Sequence, residues 1–514
     1  MKKKFLFECL LLIIISGLTS LSLPPFNFYL INFLTLSIFF IFLFKRLDRK
    51  VSKKKFFFYG WLFGFGYFFF SLYWITISLT FDKSFIFLLP IALILIPSFL
   101  ALFYSFIALF FCFIKPKNII SAFFTFSFLF GLIEFLRGTI LTGFPWNLIV
   151  YTFSENLKFI SIISLIGTYS LNLIVISLFI TPAIFIFRKS KKEIFLTITF
   201  FVITFVFLIY GTFQKKEFLD KNFTENPYII RIISSNINLE RFYNDTPAKD
   251  VINELISISK PDKTKRIFFL WPEGIIPNTY LDQIKSFAGE FSKNFNENHF
   301  IGLGITKRTI KNNKEIYFNS FSILDNNLNI LNNYDKNRLV PFGEFLPLEI
   351  FLEKIGLKTI TNNFGSFTKG NDRKIIKIKN KNYEFSFLPL ICYEIIYTGN
   401  LSKNFDFDFI ANISEDGWFG KSIGPKQHFA HSIFRAIENG KYVTRAANNG
   451  MSALINPLGE IEKKIHYGEK GYIDFEKKKD IDKTFFSKYG NIIFLILILL
   501  YIFLTISFNR IKDE

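Results

Sequence analysis

Eight long apolar runs constrain this 514-residue chain more than any other feature of its sequence. A helix needs roughly 20 consecutive apolar residues to cross about 30 Å of hydrocarbon, and each run is about that long. The runs lie at 5–23, 26–44, 56–80, 85–114, 119–137, 159–187, 194–212 and 490–508. They predict an α-helical transmembrane bundle of about eight spans and exclude a purely soluble chain.

The net charge of +20 is concentrated in alternate short loops between these runs. The N-terminus and the loops that would share its side carry eighteen Lys and Arg residues, whereas the other loops carry Lys83, Arg137 and Lys158. Basic loops stay on the cytoplasmic side of a membrane. We therefore predict that both termini are cytoplasmic and that the long polar segment faces outward. Because the charge is explained by topology, it gives no reason to expect a nucleic-acid partner.

The polar segment has the pattern of an α/β domain. Strand candidates lie at 228–235, 266–271, 299–306, 316–325, 384–391, 407–413, 451–456 and 471–475, and helix candidates at 247–260, 281–297 and 426–440. This alternation predicts an α/β fold or a layered αββα sandwich. The chain then divides into a membrane domain of seven helices (1–212), an extracytoplasmic catalytic domain (213–489), and an eighth membrane helix with a cytoplasmic tail (490–514).

Three side chains with complementary chemistry follow strand candidates: Glu273, Lys336 and Cys392. A thiol of pKa about 8.5 needs a base or a cation to become a thiolate. A carboxylate can take its proton, and an ammonium group can hold the oxyanion of a tetrahedral intermediate. Taken singly, each residue also fits a structural role. A Cys–His arrangement using His428 or His431 is an alternative that these residues leave open.

The stretches around these side chains resemble the motifs of the nitrilase (carbon–nitrogen hydrolase) superfamily. The matching segments are Trp271-Pro272-Glu273, Asp335-Lys336, Val340-Pro341-Phe342-Gly343-Glu344 and Ile391-Cys392-Tyr393-Glu394. More narrowly, the chain resembles the bacterial apolipoprotein N-acyltransferase family, because segments elsewhere match as well. These are Leu136-Arg137-Gly138, Gly143-Phe144-Pro145-Trp146, Gly417-Trp418-Phe419-Gly420 and Asn448-Asn449-Gly450. The resemblance covers nearly the whole chain and implies a nitrilase-like sandwich.

The resemblance implies a role for each matched residue. Glu273 would be the general base, Lys336 the cation that stabilises the oxyanion, and Cys392 the nucleophile. Supporting or substrate-binding roles are implied for Glu344, Tyr393, Glu394, Pro145, Trp146 and Trp418. His428 then takes a structural role.

The implied reaction is a ping-pong acyl transfer in the bacterial inner membrane. A phospholipid would give its acyl chain to the cysteine, and the N-terminal S-diacylglyceryl cysteine of an apolipoprotein would receive it. We expect no cofactor and no metal, and a monomeric protein. The alternatives are a membrane-tethered amidase that releases acid to water and a lipid transporter with an inert nitrilase-like domain.

Two positions depart from the pattern of the family. Glu415 stands where related sequences usually have Asn, and Arg241-Phe242-Tyr243 stands near a usual Lys-Trp pair. The predicted triad itself is intact, so neither departure changes the expected enzyme class. We expect both to change how lipid substrates are held.

Overall fold

The computed structural model describes residues 2–48, 51–311, 313–347, 365–380, 383–399, 401 and 406–510. Its chain forms two compact units. The helical unit contains Met1–Thr80, Ile86–Glu217 and Thr484–Glu514. The sandwich unit contains Phe81–Phe85 and Phe218–Lys483.

The helices follow the apolar runs through the helical unit and cover the outer faces of the sandwich unit. They are α1 (Lys2–Ser20), α2 (Ile31–Leu47), α3 (Lys53–Leu72), α4 (Leu89–Ile114), α5 (Ile119–Thr139), α6 (Leu157–Ile160), α7 (Ile163–Phe179), α8 (Thr181–Ile186), α9 (Lys191–Asp220), α10 (Ala248–Ser259), α11 (Ala288–Asn294), α12 (Gly424–Asn439), α13 (Phe485–Tyr489) and α14 (Ile492–Arg510).

Six helical segments among the described residues are long and apolar enough to cross a membrane. They are Lys53–Thr80, Lys83–Ile114, Ile119–Thr139, Ile163–Ile186, Lys191–Asp220 and Ile492–Arg510. The first two apolar runs also form helices, but α1 begins with three lysines and α2 has only 17 residues. The prediction of a helical membrane bundle is confirmed, with six to eight spans.

The run at 159–187 does not form one continuous helix. Gly167, inside α7, has a φ of +78°, and a new helix begins at Thr181 with Pro182 in its first turn. A side chain at position 167 would also collide with the ring of Phe486, since a Cβ there would lie 2.1 Å from it. A glycine is therefore needed both for the left-handed backbone and for the close packing.

The sandwich unit contains two six-stranded sheets. Its strands are β1 (Thr224–Ser234), β2 (Ile267–Leu270), β3 (His299–Lys311), β4 (Lys314–Leu324), β5 (Ile330–Asp335), β6 (Ile376–Asn380), β7 (Tyr383–Ile391), β8 (Phe409–Glu415), β9 (Tyr442–Asn448), β10 (Ser452–Ile455), β11 (Ile461–Ile465) and β12 (Gly471–Lys478). One sheet has the order β12-β1-β2-β3-β4-β5 and the other β11-β10-β9-β8-β7-β6.

Side chains alternate between two cores, as a strand period of two requires. In β2, Phe268 and Leu270 join the core between the sheets, whereas Ile267 and Phe269 pack in the core under α10 and α11. Strands β1, β2 and β3 are parallel, as are β7, β8 and β9. This arrangement confirms the predicted αββα sandwich, and polar side chains follow the carboxyl ends of its parallel strands.

Candidate active site

Glu273 lies in a tight turn directly after β2. Gly304 of β3 allows this turn to approach, because a Cβ there would lie 2.5 Å from the Cα of Glu273. The Oε1 atom of Glu273 accepts hydrogen bonds from Asn319 Nδ2 at 2.7 Å and Lys336 Nζ at 3.2 Å. Its Oε2 atom accepts one from the backbone N–H of Glu415 at 3.0 Å. The carboxylate is thus held at both oxygens.

Lys336 follows the last residue of β5 and is almost completely buried, with 1% of its surface exposed. Its ammonium group donates to Glu273 at 3.2 Å and to Glu344 at 2.8 Å. Burial alone would lower the pKa of Lys336, but the charges of Glu273 and Glu344 raise it well above its usual value. Lys336 therefore remains a cation at any physiological pH.

Glu344 shares its hydrogen-bond donors with Glu273. Its Oε1 atom accepts from Lys336 Nζ at 2.8 Å and from Asn319 Nδ2 at 2.7 Å, and its Oε2 atom from Val340 N at 2.8 Å. Burial raises the pKa of Glu344, and the charge of Lys336 opposes that rise. Glu344 therefore holds a proton more readily than an ordinary carboxyl group does.

Cys392 is the first residue after β7 and begins the 3₁₀ turn Cys392–Ile396. Its φ of +49° places a residue with a side chain in the left-handed region, which costs about 1–3 kcal/mol. Burial raises the pKa of the thiol, the charge of Glu273 raises it further, and Lys336 opposes them. The resting group is therefore a thiol, and its ionisation needs a proton acceptor.

Glu394 connects the turn of Cys392 to the loop of Lys336. Its carboxylate accepts from the backbone N–H groups of Ile391, Asn337 and Arg338 at 2.9, 3.1 and 3.2 Å, from the Tyr334 hydroxyl at 2.6 Å, and from Arg373 at 2.9 Å. Burial would raise the pKa of Glu394, but Arg373 and these hydrogen bonds lower it below its usual value. Glu394 is therefore an anionic anchor for both turns.

His428 contacts the backbone of Cys392. Its Nε2 atom lies 3.3 Å from the Cys392 carbonyl oxygen, and its Nδ1 atom lies 3.0 Å from Arg445 Nη2 and 2.9 Å from Asp416 Oδ1. Burial and the charge of Arg445 lower the pKa of His428, and the charge of Asp416 opposes them. The ring is held at both nitrogens, by the Cys392 carbonyl on one side and by Asp416 and Arg445 on the other. These contacts favour a structural role for His428 over a Cys–His pair.

The remaining predicted residues lie in several places. Tyr393 follows Cys392, and its ring meets that of Tyr397 edge-on at 5.5 Å. Trp418 follows β8 and stacks on Phe242 at 5.8 Å. Pro145 and Trp146 belong to the helical unit, where Trp146 is buried 4.9 Å from the ring of Trp74.

Sequence reasoning missed Asn319, which bridges Glu273 and Glu344. The residue lies in the middle of β4, and a single buried amide within an apolar strand was the signal that could have identified it. Arg373, which pairs with Glu394 at 2.9 Å, was also missed. Among the described residues, no group of three or more His, Cys, Asp or Glu side chains is placed to hold a metal ion.

Two family models match the chain. The carbon–nitrogen hydrolase model covers residues 270–479, and the model of the apolipoprotein N-acyltransferase N-terminal domain covers residues 15–180. The fold and the acid–cation–thiol cluster thus define a carbon–nitrogen hydrolase unit carried by a membrane domain.

Full-length relatives narrow this class. The apolipoprotein N-acyltransferase of Rickettsia prowazekii is 32% identical over 98% of this chain and 99% of its own, and that of Rickettsia bellii is 33% identical over 97% and 96%. The chain belongs to the apolipoprotein N-acyltransferase family. Among solved structures, an amidase from Nesterenkonia sp. AN1 aligns with 53% of this chain and 96% of its own, at 10% identity and a TM-score of 0.33.

Proposed function

We propose that this chain moves an acyl chain from a phospholipid, through a thioester on Cys392, to the N-terminal S-diacylglyceryl cysteine of an apolipoprotein. One observation carries the proposal: the Lys336 ammonium lies between Glu273 at 3.2 Å and Glu344 at 2.8 Å, and its charge acts on the Cys392 thiol. A base, a cation and a thiol together are the parts that covalent acyl transfer needs.

In the first half-reaction, Glu273 takes the Sγ proton of Cys392, and the thiolate attacks the carbonyl carbon of the sn-1 ester. Lys336 stabilises the negative oxygen of the tetrahedral intermediate. The ester C–O bond then breaks, and Glu273 returns the proton to the departing glycerol oxygen. A lysophospholipid leaves and a thioester remains.

In the second half-reaction, the free amine of the diacylated acceptor attacks the thioester. Glu273 accepts a proton from the amine, and Lys336 again stabilises the oxyanion. The C–S bond then breaks, and Glu273 gives the proton to the departing Sγ. The products are an amide and a regenerated Cys392 thiol. Exclusion of water by lipid chains would favour the amine over hydrolysis.

The charge distribution supports a location for this chemistry. Because eighteen basic residues flank one set of loops and three the other, we place both termini in the cytoplasm and the sandwich unit outside the inner membrane. A membrane-impermeant maleimide should label Lys421→Cys but not Lys189→Cys in intact spheroplasts, in a chain whose native cysteines are alanine. The reverse pattern would reject this topology. We also expect the protein to be a monomer.

The test is a trapped acyl-enzyme. Purified protein in detergent is incubated with a phospholipid labelled in its sn-1 chain, and the adduct is measured by intact mass and by release with hydroxylamine. Wild type should form a stoichiometric adduct, and Cys392→Ala should form none. Cys112→Ala is the matched control, since it removes another free cysteine, and its adduct should equal that of wild type.

Adding a diacylated lipopeptide separates the candidate reactions. Transfer of the label to the lipopeptide amine supports the acyltransferase, whereas free fatty acid alone supports the amidase. An adduct that persists in Cys392→Ala, or a wild type that never forms one, would refute the proposed function.

A further inference from the structure

A buried ion pair lies behind the cluster, and the proposed mechanism does not use it. Arg241 follows β1, and its Nη2 atom lies 2.6 Å from Oε2 of Glu415, the last residue of β8. Both side chains are at most 3% exposed. A buried charge is costly unless it is paired and its remaining donors are satisfied. The other donors of Arg241 point to backbone carbonyls, which include those of Gly274 and Ile275 at 3.3 and 3.1 Å.

We propose that the Arg241–Glu415 pair positions Glu273, an inference that rests on the proposed role of Glu273 as the base. Gly274 and Ile275 are the two residues directly after Glu273, so Arg241 holds the chain on one side of the base. The backbone N–H of Glu415 donates to Glu273 Oε2 at 3.0 Å and holds the carboxylate itself. The pair therefore fixes Glu273 through two independent contacts.

Glu415 is itself well placed for this task. Its carboxylate accepts from Arg241, from Asn448 Nδ2 at 2.7 Å and from the backbone N–H of Gly417 at 2.9 Å. The strand end that carries the Glu415 N–H is thus immobilised by its own side chain. Arg241 and Glu415 are positioning residues, because neither donates to the reacting thiol.

The placement of the base affects the rate as well as its presence. A general base must lie about 2.6–3.2 Å from the atom whose proton it takes, and a misplacement of 1 Å can cost about 100-fold in rate. The Oε1 atom of Glu273 is occupied by Asn319 and Lys336. The Oε2 atom accepts from the Glu415 N–H. A small shift of the Glu415 backbone would therefore move the Glu273 carboxylate.

The test compares Arg241→Met with Glu273→Gln and with the double variant. Two rates are measured in the full-length protein in detergent: acylation by labelled phospholipid in a single turnover, and alkylation of the Cys392 peptide by iodoacetamide, followed by mass spectrometry. Acylation should fall about 100-fold in Arg241→Met. In alkylation, Arg241→Met and Glu273→Gln should shift the rate in the same direction, and the double variant should match Glu273→Gln within about twofold.

Arg231→Met is the matched control, because Arg231 forms a similar pair with Asp474 at 2.7 Å on β1 and β12. It should lower thermal stability while acylation stays within about twofold of wild type. If Arg241→Met fails to fold, Arg241→Met/Glu415→Gln removes both charges and should still acylate about tenfold slower, since the Gly274 and Ile275 carbonyls lose their donor.

The outcomes separate the two proposals. Acylation of Arg241→Met within threefold of wild type, unchanged alkylation, or alkylation effects that multiply in the double variant would each overturn the positioning role. If wild type forms no lipid adduct but the alkylation effects are shared, the positioning role stands and the proposed function fails.

Discussion

Glu344 and Glu394 are both buried carboxylates of the sandwich unit, yet their surroundings shift their pKa values in opposite directions. The pKa of Glu394 is lowered, because it has its own cation, Arg373, and accepts backbone and hydroxyl hydrogen bonds as well. Burial raises the pKa of Glu344, and the charge of Glu273 adds to the rise, while Lys336, which Glu344 shares with Glu273, only partly opposes it. Both carboxylates are buried, so the number of hydrogen-bond donors and cations around each one decides the direction of its pKa shift.

This difference separates a structural region from a reactive one. Around Glu394 each charge has a partner, and the carboxylate joins the turn of Cys392 to the loop of Lys336. Around Lys336 two carboxylates share one cation, and the pKa of Glu344 is raised. Such an imbalance is costly to stability and is characteristic of sites that transfer protons.

Removing the shared cation should have the largest effect. In Lys336→Met the oxyanion loses its cation, and we expect single-turnover acylation to fall about 10³-fold, in line with the loss of an oxyanion donor. Lys478→Met is a matched control, since Lys478 also donates to a carboxylate, Asp408, at 2.8 Å. Acylation should be unaffected in the control. A Lys336→Met protein that keeps a tenth of the wild-type rate would show that Lys336 is structural.

Removing the charge of the anchor should have an intermediate effect. Glu394→Gln leaves Arg373 buried without its anion, which should lower the free energy of unfolding by about 3 kcal/mol. Acylation should slow about tenfold because the turns of Cys392 and Lys336 lose their common acceptor. Thermal unfolding in detergent measures the first effect and single-turnover acylation the second.

The contrast predicts a specific rescue for the anchor. Arg373→Met/Glu394→Gln removes both charges and should recover much of the stability but little of the rate. Equal recovery of both quantities would mean that the anchor acts on the fold alone.

The sequence predicted the cores of the two units better than their edges. All eight strand candidates correspond to strands. Seven of them lie in the interior of a sheet, and the eighth, β12, is an edge strand that buries Ile473 and Phe475. The edge strands β5, β6 and β11 were missed, since they are rich in Asn, Lys and Glu. Strands β5 and β6 bury one face only, and no residue of β11 is buried. The interior strand β9 was missed as well, because it contains Arg445, whose buried partner Asp416 is 29 residues away.

The site was predictable only in part, because the partners of its buried polar residues are distant in the sequence. The chemistry of the acid, the cation and the thiol grouped Glu273, Lys336 and Cys392, but nothing in a linear sequence pairs one buried polar residue with another. The two departures from the family pattern are 174 residues apart in the sequence, yet Arg241 and Glu415 lie 2.6 Å apart and compensate each other. Pairing of buried charges is a tertiary property, which local patterns do not encode.

The smallest predicted effect concerns how Glu344 and Glu394 change the pH dependence of the free energy of unfolding, which should be in opposite directions. A carboxyl group with a raised pKa binds more protons in the folded than in the unfolded protein, where its pKa is about 4.3. Glu344 therefore contributes stability below that pH, and this contribution is lost as the pH rises through the folded pKa. The lowered pKa of Glu394 acts in the opposite sense, because its contribution is present above about pH 4.3 and is lost as the pH falls.

Glu344→Gln should remove the loss of stability that Glu344 causes as the pH rises. Between about pH 4.5 and pH 8 its apparent melting temperature, relative to wild type, should rise by roughly 2–4 °C, because the variant no longer has to bury a second carboxylate beside Glu273. Over pH 3 to 5, Glu394→Gln should lose less stability than wild type on acidification. If both variants change the pH dependence in the same direction, the two carboxylates are not distinguished by their donors, and the proposed imbalance around Lys336 is wrong.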